Sequence, residues 1–248
     1  MPAHRPPDDD PSPGDPDGVA LPADRSTSHD SHAVATGPPR PDDPVWVRVL
    51  ATVRDVIERI SGIGGWCARY LVLFVFAVGL LNVVLRYVGR ATQQSLVTNA
   101  WVDLQWQGFA LLFLLGIGYA VREGVNPRVD FISQNFSPRR IAAIDLVLHV
   151  GLLLPFLVFA LSVFWPYGIT ALGQRSDDTW STWQIWTTWE GSPNPGGLPA
   201  GPIKALILLG LALLVLQIVA EVIKSVFVLL GRDDLARIDP GGIRPRVE

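Results

Sequence analysis

Four long apolar runs, separated by short polar connections, occupy most of the chain after residue 60. Each run supplies the roughly 20 apolar residues that an α-helix needs to cross the hydrocarbon core of a bilayer. The pattern therefore predicts an all-α integral membrane protein with four transmembrane helices, at about residues 66–88, 99–121, 141–165 and 202–230. Pro155 predicts a kink in the third, which neighbouring helices can accommodate.

An amphipathic pattern precedes the first run. From Val45 to Ile60 apolar residues recur at helical spacing on one face, while arginines and acidic residues fall on the other. Such a basic amphipathic helix is typical of a segment at the membrane surface, although the same stripe also suits packing against the rest of the protein or a partner. We predict an amphipathic interfacial helix at residues 45–61, with a bend into the bilayer at Ser61-Gly62-Ile63-Gly64-Gly65.

The first 44 residues have a different composition. They are rich in Pro, Asp, Ser and Gly and contain almost no aromatic or branched apolar side chains. Such a segment buries too little surface to offset its conformational entropy, so we expect a disordered cytoplasmic tail. It also lacks the basic start and continuous apolar core of a signal peptide. The membrane domain is then expected at residues 62–232, with a second cytoplasmic tail at 233–248.

A basic connector, residues 122–140, joins the second and third spans. Asn126-Pro127 predicts the end of the preceding helix, because the proline ring disfavours the α conformation at the residue before it. Ser137 and Pro138 predict the N-cap and the first position of the next helix. The arginines of this connector indicate a loop on the cytoplasmic side.

Basic residues in the other connections agree with that orientation. The segments before span one, between spans two and three, and after span four contain Arg48, Arg54, Arg59, Arg122, Arg128, Arg139, Arg140, Lys224, Arg232 and Arg237. The two opposite loops contain only Arg86, Arg90, Arg175 and Lys204. Since short cytoplasmic loops carry the excess of Lys and Arg, both termini are expected in the cytoplasm.

Composition narrows the possible chemistry. The net charge of −3 reflects an aspartate-rich tail, and no basic, soluble surface suggests a nucleic-acid partner. The single Cys67 excludes an internal disulfide and is expected to be a buried, inert thiol. Only His149 lies in a span, whereas bis-histidine haem needs facing histidines. Without a Ser/His/Asp constellation, nucleotide-binding glycine loop or metal-ligand cluster, the sequence predicts no enzyme activity and no cofactor or metal.

A few polar residues fall in or near the spans. They are Asn82, Arg86, Asp103, Gln105, Gln107, Asp145, Gln217 and Glu221. Such residues are costly in lipid and should face protein, so they indicate helix contacts or a functional path. Arg86 and Asp103 stand at neighbouring ends of spans one and two, where they are candidates for an ion pair.

The loop between spans three and four is rich in tryptophan. Trp180, Trp183, Trp186 and Trp189 recur at every third residue. Tryptophan favours the boundary between membrane and water. We predict one or two helical turns along the outer interface that bring these rings together, with an aromatic cage for a ligand as the alternative.

Several of these stretches together resemble one family. Asn82 to Val88, Asn99 to Trp106 and the connector 122–140 are similar to the small permease subunit (DctQ-like) of tripartite ATP-independent periplasmic (TRAP) transporters. The tract from Trp189 to Pro199, followed by Pro202-Ile203-Lys204, Leu216-Gln217 and Ala220-Glu221, resembles especially the branch labelled for mannitol or chloroaromatic compounds. The family often has Glu where Asp103 stands and His where Asn126 stands.

The resemblance implies a non-catalytic subunit of the bacterial inner membrane. In this family a periplasmic solute-binding protein delivers an organic, often carboxylate-bearing solute, and a large permease subunit imports it with sodium ions. The small subunit then acts as a membrane scaffold. We expect its subunit-interface or structural residues to be Arg86, Asp103, Arg122, Arg128, Asp130, Pro138, Trp189, Gln217 and Glu221, with the large subunit, the binding protein and membrane lipids as partners. The alternatives are the membrane anchor of an enzyme complex and an independent four-helix assembly protein.

Overall fold

The computed structural model describes residues 39–124 and 136–236. These residues form α1 (Val45–Thr92), α2 (Asn99–Arg122), α3 (Pro138–Leu148), α4 (Leu154–Ala171), α5 (Gly201–Leu229) and the short α6 (Asp233–Ala236). A π-helical turn, His149–Leu153, joins α3 and α4 into one segment. Among the described segments, α1, α2, α3–α4 and α5 are each long and apolar enough to cross a membrane, which confirms the four predicted spans.

The four spans pack in the order α1, α2, α5, α4. The helix α2 contacts both α1 and α5, and α4 packs on the far side of α5. We call the end of the bundle where α1 begins and α5 finishes the terminal end. The opposite end, with residues 93–98 and 172–200, is called the loop end. Most of the outer surface remains apolar and exposed, as a membrane protein requires.

The first helix differs from the sequence prediction. It runs unbroken for 48 residues, about 72 Å at 1.5 Å per residue, so the predicted bend at Ser61–Gly65 is wrong. A Cβ on Gly64 would meet the carbonyl oxygen of Leu115, and a Cβ on Gly65 would meet the Tyr119 ring. These glycines therefore allow α2 to approach α1 closely, which is a common use of small residues between membrane helices.

The irregularity expected near Pro155 takes the form of the π-helical turn. Pro155 lies in the first turn of α4 and has no N–H to offer the preceding turn. Just before it, the N–H of Leu154 bonds the carbonyl of His149, five residues back. The π-helical turn thus accommodates the hydrogen bond that Pro155 cannot donate, and the helix continues across the span.

The ends of the connector are only partly as predicted. The helix α2 ends at Arg122, before Asn126-Pro127, and Gly124 follows with a φ of +66°. A glycine with a left-handed φ often ends a helix. Gly124 therefore ends α2, a role that the sequence predicted for Asn126-Pro127. Ser137 is the N-cap of α3 and Pro138 lies in its first turn, as predicted, although Ser137 makes no side-chain capping bond.

An apolar core closes the terminal end. It consists of Val47 and Ala51 of α1, Ala142 of α3, Ile223, Phe227 and Val228 of α5, and Leu235 and Ala236 of α6.

Both guanidinium NH₂ groups of Arg232 bond the Asp43 carboxylate, at 2.7 and 3.0 Å. That contact lowers the pKa of Asp43. The ion pair therefore stabilises the protein at neutral pH, and this stabilisation is lost as the pH falls below about 3.9 and through the lowered pKa of Asp43.

Candidate functional sites: polar contacts between the helices

At the loop end, the Asp103 carboxylate is completely enclosed. Its Oδ2 accepts hydrogen bonds from the Ser192 hydroxyl at 2.5 Å and the Leu198 N–H at 2.9 Å. Its Oδ1 accepts bonds from the Asn194 amide at 2.9 Å and the Trp106 indole at 3.0 Å. A carboxylate that receives four donors is fully satisfied, so Asp103 fastens the loop to the first turns of α2.

Further contacts hold the same loop. The amides of Asn99 and Gln107 donate to the carbonyls of Pro195 and Pro199, at 2.9 and 3.1 Å. A Cβ on Gly197 would collide with both Asp103 and Ser192. We call residues 190–200 together with Asp103 the loop-end latch. The sequence reading singled out Asp103 and this tract separately but missed that Ser192 and Asn194 bind the carboxylate.

The ion pair predicted between Arg86 and Asp103 does not form. Arg86 is exposed, and all the partners of Asp103 that the structure shows come from α2 and the latch. Arg86 lies instead beside Arg90 and Gln93, along an open cleft of about 480 Å³. Arg86 and Asp103 stand at neighbouring helix ends, but the distant loop supplies Asp103 with better-placed donors.

Close to the loop-end latch, Asn82 and Gln105 join α1 to α2. The Asn82 amide donates to Gln105 Oε1 at 2.9 Å. A Cβ on Gly79 would meet the Gln105 amide, so this glycine makes room for the contact. The bond gives the Asn82 NH₂ group and the Gln105 oxygen partners within the protein and ties the two helices together, while the Asn82 Oδ1 is buried without a partner.

A second buried polar cluster joins α1 to α5 towards the terminal end. Ser61 donates to Gln217 Oε1 at 2.5 Å, and Gln217 donates to Glu221 Oε1 at 2.9 Å. The Lys224 ammonium lies 2.8 Å from Glu58 and 2.9 Å from Glu221. We call these five residues the terminal-end cluster. The 24 residues from Gly201 to Lys224 correspond to about 35 Å of helix, so the cluster lies near the far boundary of a hydrocarbon core of about 30 Å.

The sequence reading identified Gln217 and Glu221 but not their partners. It placed Glu58 on the polar face of an amphipathic helix and counted Lys224 only as a topological charge. The sequence does contain a pattern that indicates these partners. Polar residues recur at spacings of three or four on both helices, at Glu58 and Ser61 of α1 and at Gln217, Glu221 and Lys224 of α5. Two polar stripes of this kind on apolar helices indicate faces that meet.

Arg54 extends this polar contact toward the terminal end. It is 1% exposed, bonds Asp55 at 2.6 Å and lies 5.9 Å from the centre of the Phe227 ring. The sequence pattern predicts Arg54 on the polar face of the amphipathic helix. Its aliphatic stem and planar head instead pack between α1 and α5, which a long side chain permits.

The remaining predicted residues occupy varied places. Arg122 is half-buried, stacks on Tyr119 at 5.9 Å and lies against Gly62 of α1. Pro138 is exposed in the first turn of α3. Trp189 is half-buried and packs against Gly201 at the start of α5. Arg128 and Asp130 lie outside the described residues.

The tryptophan-rich loop forms the predicted helical turns only in part. Only the 3₁₀ turn Ile185–Thr187 is helical there. Trp183 and Trp186 pack edge to face with ring centres 5.5 Å apart, while Trp180 pairs by its backbone with Gln174. A spacing of three is the period of a 3₁₀ helix, which rarely extends beyond a few residues, and here that helix covers only Ile185–Thr187.

The described residues contain no group of three His, Cys, Asp or Glu side chains placed to hold a metal ion. The buried polar groups bond each other across helix boundaries, which suits a bracing role rather than a chemical step. The fold and its contacts thus define a multi-pass membrane protein in which buried polar contacts join α1 to α2, α1 to α5, and α2 to the loop before α5.

The family follows from comparison with known proteins. The model of the family described as "Tripartite ATP-independent periplasmic transporters, DctQ component" matches residues 75–227. The chain belongs to this family and is the small membrane subunit of a TRAP transporter, a multi-pass protein of the inner membrane. The family is one of transporter subunits, not of enzymes. No curated protein and no solved structure matches the chain.

Proposed function

We propose that this chain scaffolds the large permease subunit during sodium-coupled uptake of an organic, carboxylate-bearing solute delivered by a periplasmic binding protein. The proposal rests on where the polar and apolar side chains of this protein lie. The polar side chains of the loop-end latch, the Asn82–Gln105 bond and the terminal-end cluster bond other groups of the same chain. The rest of the bundle offers apolar helix faces, which suit a membrane partner better than a path for a polar solute.

The same reasoning assigns the solute specificity to the partners. A translocating unit needs broken helices and a polar site near the midplane. In the described residues the π-helical turn at His149–Leu153 leaves the spanning helix continuous, and four of its five residues are apolar, His149 being the exception. We also infer that the chain belongs to the branch labelled for mannitol or chloroaromatic compounds. This inference rests on the tract between Trp189 and Pro199, which contributes to the loop-end latch. The label is not adopted for the substrate.

Reconstitution of uptake tests the scaffold role. Proteoliposomes that contain this chain, the large subunit and the binding protein should take up solute along a sodium gradient, whereas the chain alone should not. Arg86→Leu and Asp103→Leu should reduce assembly and uptake without altering the relative rates for different solutes. Since the two residues do not touch, their effects should add. Sodium-dependent uptake by the chain alone, or a changed solute preference in either variant, would refute the scaffold role.

Cysteine labelling tests the orientation, in which both termini lie in the cytoplasm. In a Cys67→Ser background, exposed serines are available at Ser95 and Ser181 of the loop end and at Ser137 beside α3. Cysteines at the first two positions should react with a membrane-impermeant thiol reagent added from the periplasm. A cysteine at Ser137 should react only after the membrane is opened. The reverse pattern would invert the topology.

A further inference from the structure

The open cleft at the loop end contains two arginines that form no ion pair within the described residues. It has a volume of about 480 Å³ and lies between the last turns of α1 and residues 93–97, and we call it the arginine cleft. Arg86 and Arg90 line it, and both are exposed. Its wall carries no carboxylate, and no ion pair among the described residues involves either arginine. The cleft is therefore positively charged and open to a ligand.

The backbone fixes the shape of the arginine cleft. Gln93 ends α1 with a left-handed φ of +56°, and the N–H of Gln94 bonds the carbonyl of Gly89 at 2.9 Å. A Cβ on Gly89 would meet the carbonyl oxygen of Gln94, so this glycine lets the chain fold back against the last turns of α1. The cleft is thus part of the folded chain.

The spacing of the two arginines indicates an anionic ligand. Arg86 and Arg90 are four residues apart on one helix, so their Cβ atoms lie about 5–6 Å apart, and like charges at this spacing destabilise a helix. A phosphate group between them removes that repulsion. Each planar guanidinium can also donate two parallel hydrogen bonds to phosphate oxygens. The geometry therefore suits a phosphate better than a neutral ligand.

The depth of the cleft places it among lipid headgroups. Glu58 belongs to the terminal-end cluster, near the opposite boundary of the hydrocarbon core. Arg86 follows Glu58 by 28 residues of the same unbroken helix, which correspond to about 42 Å. A bilayer measures about 30 Å across its hydrocarbon core and about 40–45 Å with its headgroups. Arg86 and Arg90 therefore lie at the headgroup layer of the loop end, where the phosphates of lipids are found.

An exposed apolar surface lies directly below the cleft. At about 100° per residue, Val83 and Phe76 point within about 40° of the direction of Arg90. They are 51 and 70% exposed. A phospholipid bound by its phosphate in the cleft would lay an acyl chain over them. A soluble anion, or an acidic loop of a protein, would not use this surface.

We propose that the arginine cleft binds an anionic phospholipid of the leaflet at the loop end, with its phosphate between Arg86 and Arg90 and an acyl chain along Val83 and Phe76. The exposed side chains of Gln94 and Ser95 also line the cleft and can donate to the hydroxyls of a glycerol headgroup. This site does not depend on the scaffold function, because it is built entirely from α1 and the segment that follows it.

Native mass spectrometry of the full chain in detergent tests the proposal. Dioleoylphosphatidylglycerol and dioleoylphosphatidylcholine share their acyl chains and differ only in the headgroup. The wild type should bind the anionic lipid about tenfold more tightly than the zwitterionic one, since each arginine near a headgroup layer adds to the attraction. The double variant Arg86→Gln, Arg90→Gln should lose this preference.

The double variant Arg48→Gln, Arg175→Gln is the matched control. It removes the same charge from two exposed arginines outside the cleft, so it should keep the wild-type preference. The double variant Arg86→Lys, Arg90→Lys retains the charge and should keep part of the preference, because lysine binds phosphate without the planar fork. Without added lipid, all four proteins should melt at the same temperature, which would show that the substitutions leave the fold intact.

The remaining outcomes would overturn the proposal. Equal affinity of the wild type for the two lipids would show that the cleft does not select a charged headgroup. An unchanged preference in the Arg86→Gln, Arg90→Gln variant would leave these arginines to an acidic protein partner. Inorganic phosphate, added in equal amount to the anionic lipid, should not displace it, because phosphate lacks the acyl chain. Displacement would assign the cleft to a free phosphate instead of a lipid.

Discussion

Lys224→Met is expected to destabilise the protein by about 3–5 kcal/mol, which is the usual cost of breaking a buried ion pair on one side. The Lys224 ammonium lies within 3 Å of both Glu58 and Glu221, and its side chain is 10% exposed. Removing it leaves the carboxylates of Glu58 and Glu221, whose side chains are 11 and 20% exposed, without the cation between them. Thermal melting in detergent, followed by tryptophan fluorescence, measures the effect.

Lys204→Met is the matched control on the same helix. Lys204 also contacts a carboxylate, Glu190, at 2.6 Å, but that carboxylate side chain is 47% exposed. Water screens such a pair, so its loss should cost at most about 1 kcal/mol. A triple variant that adds Glu58→Gln and Glu221→Gln to Lys224→Met should recover part of the stability. Equal losses for the two lysine variants would show that the terminal-end cluster is not a buried brace.

Gly197→Ala is expected to disrupt the loop-end latch. The added methyl group would occupy the space that the Asp103 carboxylate and the Ser192 hydroxyl share. Overpacking of this kind typically costs about 1–3 kcal/mol. Because Asp103 holds the loop to α2, the loop should also become accessible to protease, with cleavage between residues 172 and 200 at least tenfold faster. Limited proteolysis and thermal melting measure the two effects.

Gly191→Ala provides the control for the latch. A Cβ at Gly191 meets no atom within 4 Å, so this variant should behave like the wild type. Asp103→Asn should resemble Gly197→Ala, since an amide in place of the carboxylate presents donors to a site already lined by donors. If Gly191→Ala and Gly197→Ala are cleaved equally fast, then a general change in the loop, rather than the latch, explains the effect.

The sequence by itself determined the spans. Uninterrupted apolar runs leave helices as the only way to satisfy the backbone in lipid, so the number and approximate bounds of the spans followed from hydrophobicity. The family resemblance also followed from the sequence, because short motifs recur in a fixed order over four spans, and the family model confirms it. Local rules correctly placed Ser137 and Pro138 at the start of α3 as well.

Only the tertiary structure decided which polar residues meet. Asp103 lies 89 residues from Ser192, and Ser61 lies 156 residues from Gln217, so no local pattern links them. Glycine is similarly ambiguous in sequence, since Gly64 and Gly65 suit a bend and a close helix contact equally well. A neighbouring helix resolves the choice, because the absence of a side chain there lets α2 pack against α1 while α1 continues unbroken.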